Sequence, residues 1–284
     1  MPLAEQSGGS APQPTPDPAG LRYDELHRRG ATGSWRPVLG VPMLGLLFVI
    51  GQLFCGALIA TVLQLSGDSA DRAADKLSGD PATPSFLALV NLGWALAIPA
   101  TLLVARALHA MPPGWVASVV GRIRWRWLFA CVGLAFVALA ITVMVSSLLP
   151  DQGTADMDDS LNPWTDTLRD FVLVVVLLTP LQAAGEEYVF RGYLTQALGG
   201  LAGRIGRRVG LAVAVVVPAL LFALAHGLGQ DFPIFFDRFA FGLVAGLLVV
   251  LTGGLEASIA MHVLNNFLSF GLALAFSDMT EALT

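Results

Sequence analysis

Charge is what this sequence has least of. Only 13% of its 284 residues are Asp, Glu, Lys or Arg, about half of the roughly 25% that an ordinary soluble domain carries. A chain of this length folded in water would bury a large core, but it would also need a charged shell, and this composition does not supply one. Lysine is nearly missing: Lys76 stands against fifteen scattered arginines. With no basic block and a net charge of −5, the chain offers no footprint for nucleic acid. Cysteine is equally scarce. Cys55 and Cys131 both fall inside apolar runs, which argues against a disulfide framework, and no Cys-x-x-Cys pair is present to hold a metal. Both read as small apolar filler. Gly-x-Ser-x-Gly and His-Glu-x-x-His are absent too, so neither a serine-hydrolase elbow nor a zinc-protease helix is encoded.

What fills the sequence is apolar. Hydrophobic residues make up 55% of it and the mean hydropathy is +0.69. Several apolar runs exceed the ~18 residues that mark a membrane-spanning candidate. Spans are expected at 38–65, 85–108, 127–149, 171–194, 209–226, 239–251 and 257–276, the sixth being short for a bilayer. The fold class is therefore all-α, a polytopic transmembrane helix bundle of about seven spans, or eight. Pro42, Pro99, Pro180 and Pro218 fall inside these runs, which membrane helices tolerate when neighbours satisfy the freed backbone groups. Residues 1–20 are rich in proline and glycine and lack a basic start followed by an apolar stretch, so they read as a disordered tail and not a signal peptide.

The connectors carry an orientation signal. Arg22, Arg28, Arg29 and Arg36 precede the first span, Arg122, Arg124 and Arg126 lie between the second and third, and Arg204, Arg207 and Arg208 lie between the fourth and fifth. The alternate connectors hold Asp68, Asp71, Asp75 and Asp80, then Asp151, Asp156, Asp158 and Asp159. Basic loops stay in the cytoplasm, so the expected location is the cell membrane, multi-pass, with the N-terminus cytoplasmic. Trp125 and Trp164 suit interfacial anchoring.

Three polar motifs interrupt the apolar helices. The fourth run contains Glu186, Glu187 and Arg191. A charge at a helix centre costs roughly 2.5–3.5 kcal/mol on the insertion scale, so such groups persist only facing a bundle interior or a wet cavity. Glu187 and Arg191 are spaced i, i+4 and can pair. Glu186 points about 100° away, with no such local partner. A purely structural ion cluster would not need that second glutamate. The fifth run ends with Phe222 and His226 on one face, and the seventh holds His262 and Asn266 on one face. Alone, a histidine at a helix end is more often interfacial than catalytic, and stacked polar side chains can be interhelical hydrogen bonds. Together, the three motifs hold the parts for amide hydrolysis without a serine or cysteine nucleophile. A glutamate can take a proton from water with help from a histidine, while a second histidine and an asparagine amide donate to a developing oxyanion.

In order and spacing, Glu-Glu-x-x-x-Arg, Phe-x-x-x-His and His-x-x-x-Asn resemble the CPBP family, the CAAX proteases and bacteriocin-processing enzymes also called Abi proteins. The resemblance covers roughly residues 165–276 and divides the chain into a tail and juxtamembrane segment (1–37), N-terminal helices (38–164), a catalytic core (165–276) and a C-terminal tail (277–284). It implies an intramembrane endopeptidase in which Glu186 activates water with His226, and His262 and Asn266 bind the oxyanion. Glu187, Arg191 and Phe222 would then support the site. The implied partners are membrane lipid and a membrane-associated protein or peptide substrate. No cofactor is expected; the alternative is zinc on Glu186, His226 and His262 with one open position. A non-catalytic scaffold or immunity-type protein, and a transporter, are the competing classes; a transporter would usually show internal repeats, and none is visible.

One expectation conflicts with this site. Counting 1.5 Å per residue, His226 lies roughly 25 Å from the start of its span and His262 under roughly 10 Å from the start of its own. If both spans start level, the histidines do not meet.

Overall fold

In a computed structural model, residues 20–149 and 160–280 are described. The N-terminal tail expected over 1–20 and the acidic group from Asp151 to Asp159 fall almost wholly outside them. Seven helices are long and apolar enough to cross a membrane: α1 (Trp35–Leu65), α2 (Pro84–His109), α3 (Trp125–Ser146), α4 (Asp166–Ala202), α5 (Arg207–Ala225), α6 (Phe232–Thr252) and α7 (Glu256–Phe276). The chain is an all-helical, multi-pass membrane protein.

Local chemistry sets several helix ends. Thr83 and Thr165 accept from the amides of Phe86 and Leu168, both at 3.1 Å, capping α2 and α4, and Pro84 sits where a missing N–H costs nothing. The four prolines expected inside spans do lie inside α1, α2, α4 and α5. The sixth span is not short. It begins at Phe232, so Asp237 and Arg238 lie within its first turns. Arg238 donates to Gln230 Oε1 at 2.7 Å and to the His226 carbonyl at 3.3 Å, where a cation meets the carbonyl end of α5. The fourth span is longer than its apolar run, because α4 continues to Ala202.

Packing divides the helices by role. The spans α1 and α3 bury almost none of their residues inside the protein, which leaves their apolar faces to lipid. The centre is built from α2 against α4, α4 against α7, and α5 against α4 and α6. Close approach is bought with glycine: a Cβ at Gly185 would stand 1.9 Å from the Trp94 carbonyl oxygen, and one at Gly242 2.9 Å from Ala219. Only residues without a side chain let α4 meet α2, and α6 meet α5, this closely.

The connectors gather at two ends. A 3-10 turn, Tyr23–Arg29, packs on the end of α4, with Tyr23 and Leu26 buried. Tyr23 donates to the Val116 carbonyl, and Arg207 pairs with Glu25 at 3.1 Å. Arg124 forms three bonds to Glu256, from its backbone N–H at 2.8 Å and its guanidinium at 3.0 and 2.7 Å, and one to the Thr252 carbonyl at 3.0 Å. The arginine-bearing segments thus meet the α6–α7 turn at one end. At the other, Asn162 bonds the backbone of Ala275 and Ser277, at 2.7 and 2.9 Å, and Ala82 bonds Thr280 at 3.0 Å.

Candidate active site

The fourth span delivers its charged residues at a change of helical type. Regular α-helix runs to Glu187, and Tyr188–Leu194 winds as a π-helix before α-helix resumes at Thr195. Such insertions are rare and concentrate at functional sites. Nothing in the hydropathy pattern marks it. Thr195 reaches across to the Ala214 carbonyl at 3.1 Å, which ties α4 to α5, and Arg191 lies over Phe222.

Glu187 is fully buried, as is Arg191. Their ion pair, expected from spacing, closes at 3.0 Å. The same Glu187 oxygen, Oε1, accepts from His262 Nδ1 at 2.8 Å. Because a carboxylate only accepts, Nδ1 carries the proton and Nε2 is the nitrogen turned elsewhere. It faces Glu186 Oε2 at 3.6 Å, too far for a hydrogen bond. The remaining guanidinium nitrogens of Arg191, Nε and Nη2, have no acceptor. Its carbon instead lies 4.2 Å from the Phe222 ring centre, a cation–π contact that partly replaces hydration.

Glu186 was expected to lack a local partner, and this is corrected. Gln182, one turn earlier, donates to Glu186 Oε1 and accepts from Asn266 Nδ2 at 3.0 Å. Gln182 carries no charge to mark it in the sequence; its i, i+4 spacing from Glu186 is the signal of the contact. The other oxygen, Glu186 Oε2, is buried with no hydrogen-bond partner.

Phe222 is the ring on which the motifs converge. His226 stands 4.6 Å from it, Phe190 5.4 Å, Phe241 5.8 Å and His262 5.8 Å, centroid to centroid. The depth conflict is relieved for Phe222 but not for His226, because the spans do not start level. Gln196 of α4 bonds the Trp115 carbonyl at 2.9 Å, and Leu255, at the start of α7, bonds the Ala117 carbonyl at 2.9 Å. The α4–α5 hairpin therefore extends past the start of α7, and Phe222 reaches the level of His262. The last turn is closed by His226 folding back, Nδ1 donating to the Phe222 carbonyl at 2.8 Å, as helical side chains lean toward their N-terminus.

His226 is nevertheless not beside the glutamates. It is exposed at the end of α5, and its ring bonds Phe222, not Glu186. Glu186, Glu187, Arg191, Phe222, His262 and Asn266 are brought together; His226 stands behind Phe222, at the rim. The three residues a zinc site would need do not converge, and among the described residues no group of three or more His, Cys, Asp and Glu side chains is placed to hold a metal.

A buried carboxylate pair on one helix of the bundle is thus met by a histidine and an asparagine from another. Residues 168–268 match a family model described as "Type II CAAX prenyl endopeptidase Rce1-like", and this stretch belongs to that family of proteases. It contains every motif residue named above. The chain is 24% identical over 251 residues to the uncharacterized protein YyaK of Bacillus subtilis (strain 168), covering 84% of this chain and 77% of that protein. It is 28% identical over 145 residues to the membrane-embedded CAAX protease MroQ of Staphylococcus aureus (strain USA300), covering 49% of this chain and 54% of MroQ. The chain thus spans about half of MroQ's length. No solved structure matches it at a significant level.

Proposed function

We propose that the protein is an intramembrane endopeptidase that hydrolyses peptide bonds of membrane-associated substrates with water activated at Glu186. The observation that carries this reading is Glu186 Oε2, a buried carboxylate oxygen without a partner, 3.6 Å from His262 Nε2 and on the same carboxylate that Gln182 links to Asn266. Glu187 Oε2 is unpartnered as well, but the Glu187 carboxylate is paired with Arg191; Glu186 has no arginine partner, and burying a carboxylate without a counter-charge costs stability.

In this mechanism Oε2 takes a proton from water, and the hydroxide adds to the substrate carbonyl carbon. The developing oxyanion is met by Asn266 Nδ2–H and by His262, which in its protonated form donates from Nε2 while Glu187 holds Nδ1–H. The carbon–nitrogen bond then breaks, and the proton on Glu186 passes to the leaving amine. His226 has its Nδ1–H engaged and its Nε2 lone pair free, and it assists proton movement from the rim through substrate or solvent. This reading assigns no step to zinc, and the separation of His226 from Glu186 and His262 supports that choice. We place the arginine-bearing end in the cytoplasm.

Reconstitution into proteoliposomes tests the class. A digest of membrane peptides, including one ending in a prenylated Cys-a-a-X sequence, should yield new termini by mass spectrometry. Solute flux without cleavage would identify a transporter, and neither would identify a scaffold.

A further inference from the structure

Gln182 lies outside the three motifs, yet its side chain hydrogen-bonds both the candidate base and the candidate oxyanion donor Asn266. Its side chain is buried on α4, between Glu186 of the same helix and Asn266 of α7. The chain of bonds runs from Asn266 Nδ2 to Gln182 Oε1 at 3.0 Å, then from Gln182 Nε2 to Glu186 Oε1. Amide groups have two orientations, and the bonding network selects between them. Here the selection is forced from one end. A carboxylate only accepts, so the nitrogen of Gln182 must face Glu186; its oxygen must then face Asn266, and Asn266 must answer with its nitrogen.

We propose that Gln182 is a positioning residue for hydrolysis, fixing Glu186 and Asn266 in one orientation relative to each other. This rests on the reading of Glu186 as base and Asn266 as oxyanion donor. Two consequences follow from the polarity of the chain. Pinning Oε1 of Glu186 reserves Oε2 for the proton of the attacking water. Engaging one N–H of Asn266 leaves its second N–H, and not its carbonyl, for the oxyanion. Without Gln182 the Asn266 amide is free to turn and present an oxygen, which repels the charge it should stabilise. The link also ties α4 to α7 at the point where both contribute to the reaction, so that base and donor move together.

The test uses the full chain in proteoliposomes and the peptide cut fastest by the wild type in the digest above. Gln182→Met keeps the shape and removes both bonds. Gln182→Asn keeps an amide one methylene shorter, which reaches one partner but not both, and covers the case in which the methionine variant folds poorly. Each should lower kcat by about 100-fold, the scale of losing an oxyanion donor, with KM within about twofold, because the loss falls on the transition state. The decisive reading is coupling with Asn266→Ala. If Gln182 acts through Asn266, the double variant should be slower than the slower single variant by no more than about threefold, whereas independent effects would multiply. Unchanged kcat in both Gln182 variants, an effect confined to KM, or a multiplicative double variant overturns the inference while leaving the protease reading intact. A wild type that cuts nothing overturns the protease reading, and this inference with it.

Discussion

His262 Nδ1 donates to Glu187 Oε1 across 2.8 Å, joining α7 to α4 in the apolar middle of the bundle. That bond separates two adjacent glutamates that the sequence presents as equals. Glu187 is committed on one oxygen to both Arg191 and His262. Glu186 is held on one oxygen by a neutral amide; the second oxygen of each carboxylate is unpartnered, so the difference lies in the arginine and histidine that only Glu187 hydrogen-bonds.

The two should fail differently when changed. Glu187→Gln leaves the Arg191 guanidinium buried without its counter-charge, a loss of about 3–5 kcal/mol. Glu186→Gln removes no ion pair to an arginine and should insert, purify and melt like the wild type. Thermal unfolding of both purified variants checks this. A Glu187→Gln protein as stable as the wild type would show that the pair does not hold the helices.

Topology is checked by labelling. The arginine-bearing and aspartate-bearing connectors alternate along the chain, and Asp71 and Arg204 are exposed on connectors of opposite kind. Single cysteines at these two positions should react from opposite sides of the membrane, with Arg204→Cys protected from an impermeant reagent in intact cells. Reaction of both from one side contradicts the seven-span arrangement; reaction of Arg204→Cys from outside reverses its orientation.

Acid should loosen the N-terminal turn. His27 is buried with both ring nitrogens unpartnered, stacked on His109 at 4.0 Å. Burial, and the neighbouring His109, hold its pKa well below 6.5. Below about pH 6.5 the unfolded chain binds a proton that the folded one refuses, so stability is full above that pH and falls as pH drops toward the folded-state value. The slope is at most about 1.4 kcal/mol per pH unit. Melting temperatures measured from pH 8 to pH 5 should show the decline, and His27→Phe, which keeps the ring stack, should flatten it. Equal pH dependence in wild type and His27→Phe would place the cause elsewhere.

Metal removal should have no effect. Glu186 and His262 face each other, but His226 is turned to Phe222, so the donors do not form a His-His-Glu set. Purified protein should carry no stoichiometric zinc and keep its activity after chelation. One equivalent of zinc, lost with activity and restored with it, would reverse this assignment.

The membrane spans were legible because hydropathy is summed over many residues and survives errors at the ends. Glu187 with Arg191 was legible because helical spacing puts them on one face. Gln182 was not, although its spacing from Glu186 is the same, because an uncharged amide does not stand out against apolar neighbours by cost. The π-helical segment has no period to read over seven residues. The position of His226 depends on how far one hairpin extends past another, which is set by contacts such as Gln196 with Trp115 and Leu255 with Ala117, distant in sequence. The burial of Glu256 against Arg124 depends on a similar meeting of two connectors.

The most direct test is cleavage by the wild type and Glu186→Gln, reconstituted at equal amounts and given the same membrane-peptide digest. The account predicts new peptide termini with the wild type and none above background with Glu186→Gln, while the two proteins melt at the same temperature. Cleavage by Glu186→Gln at the wild-type rate would contradict it, and would remove Glu186 as the base.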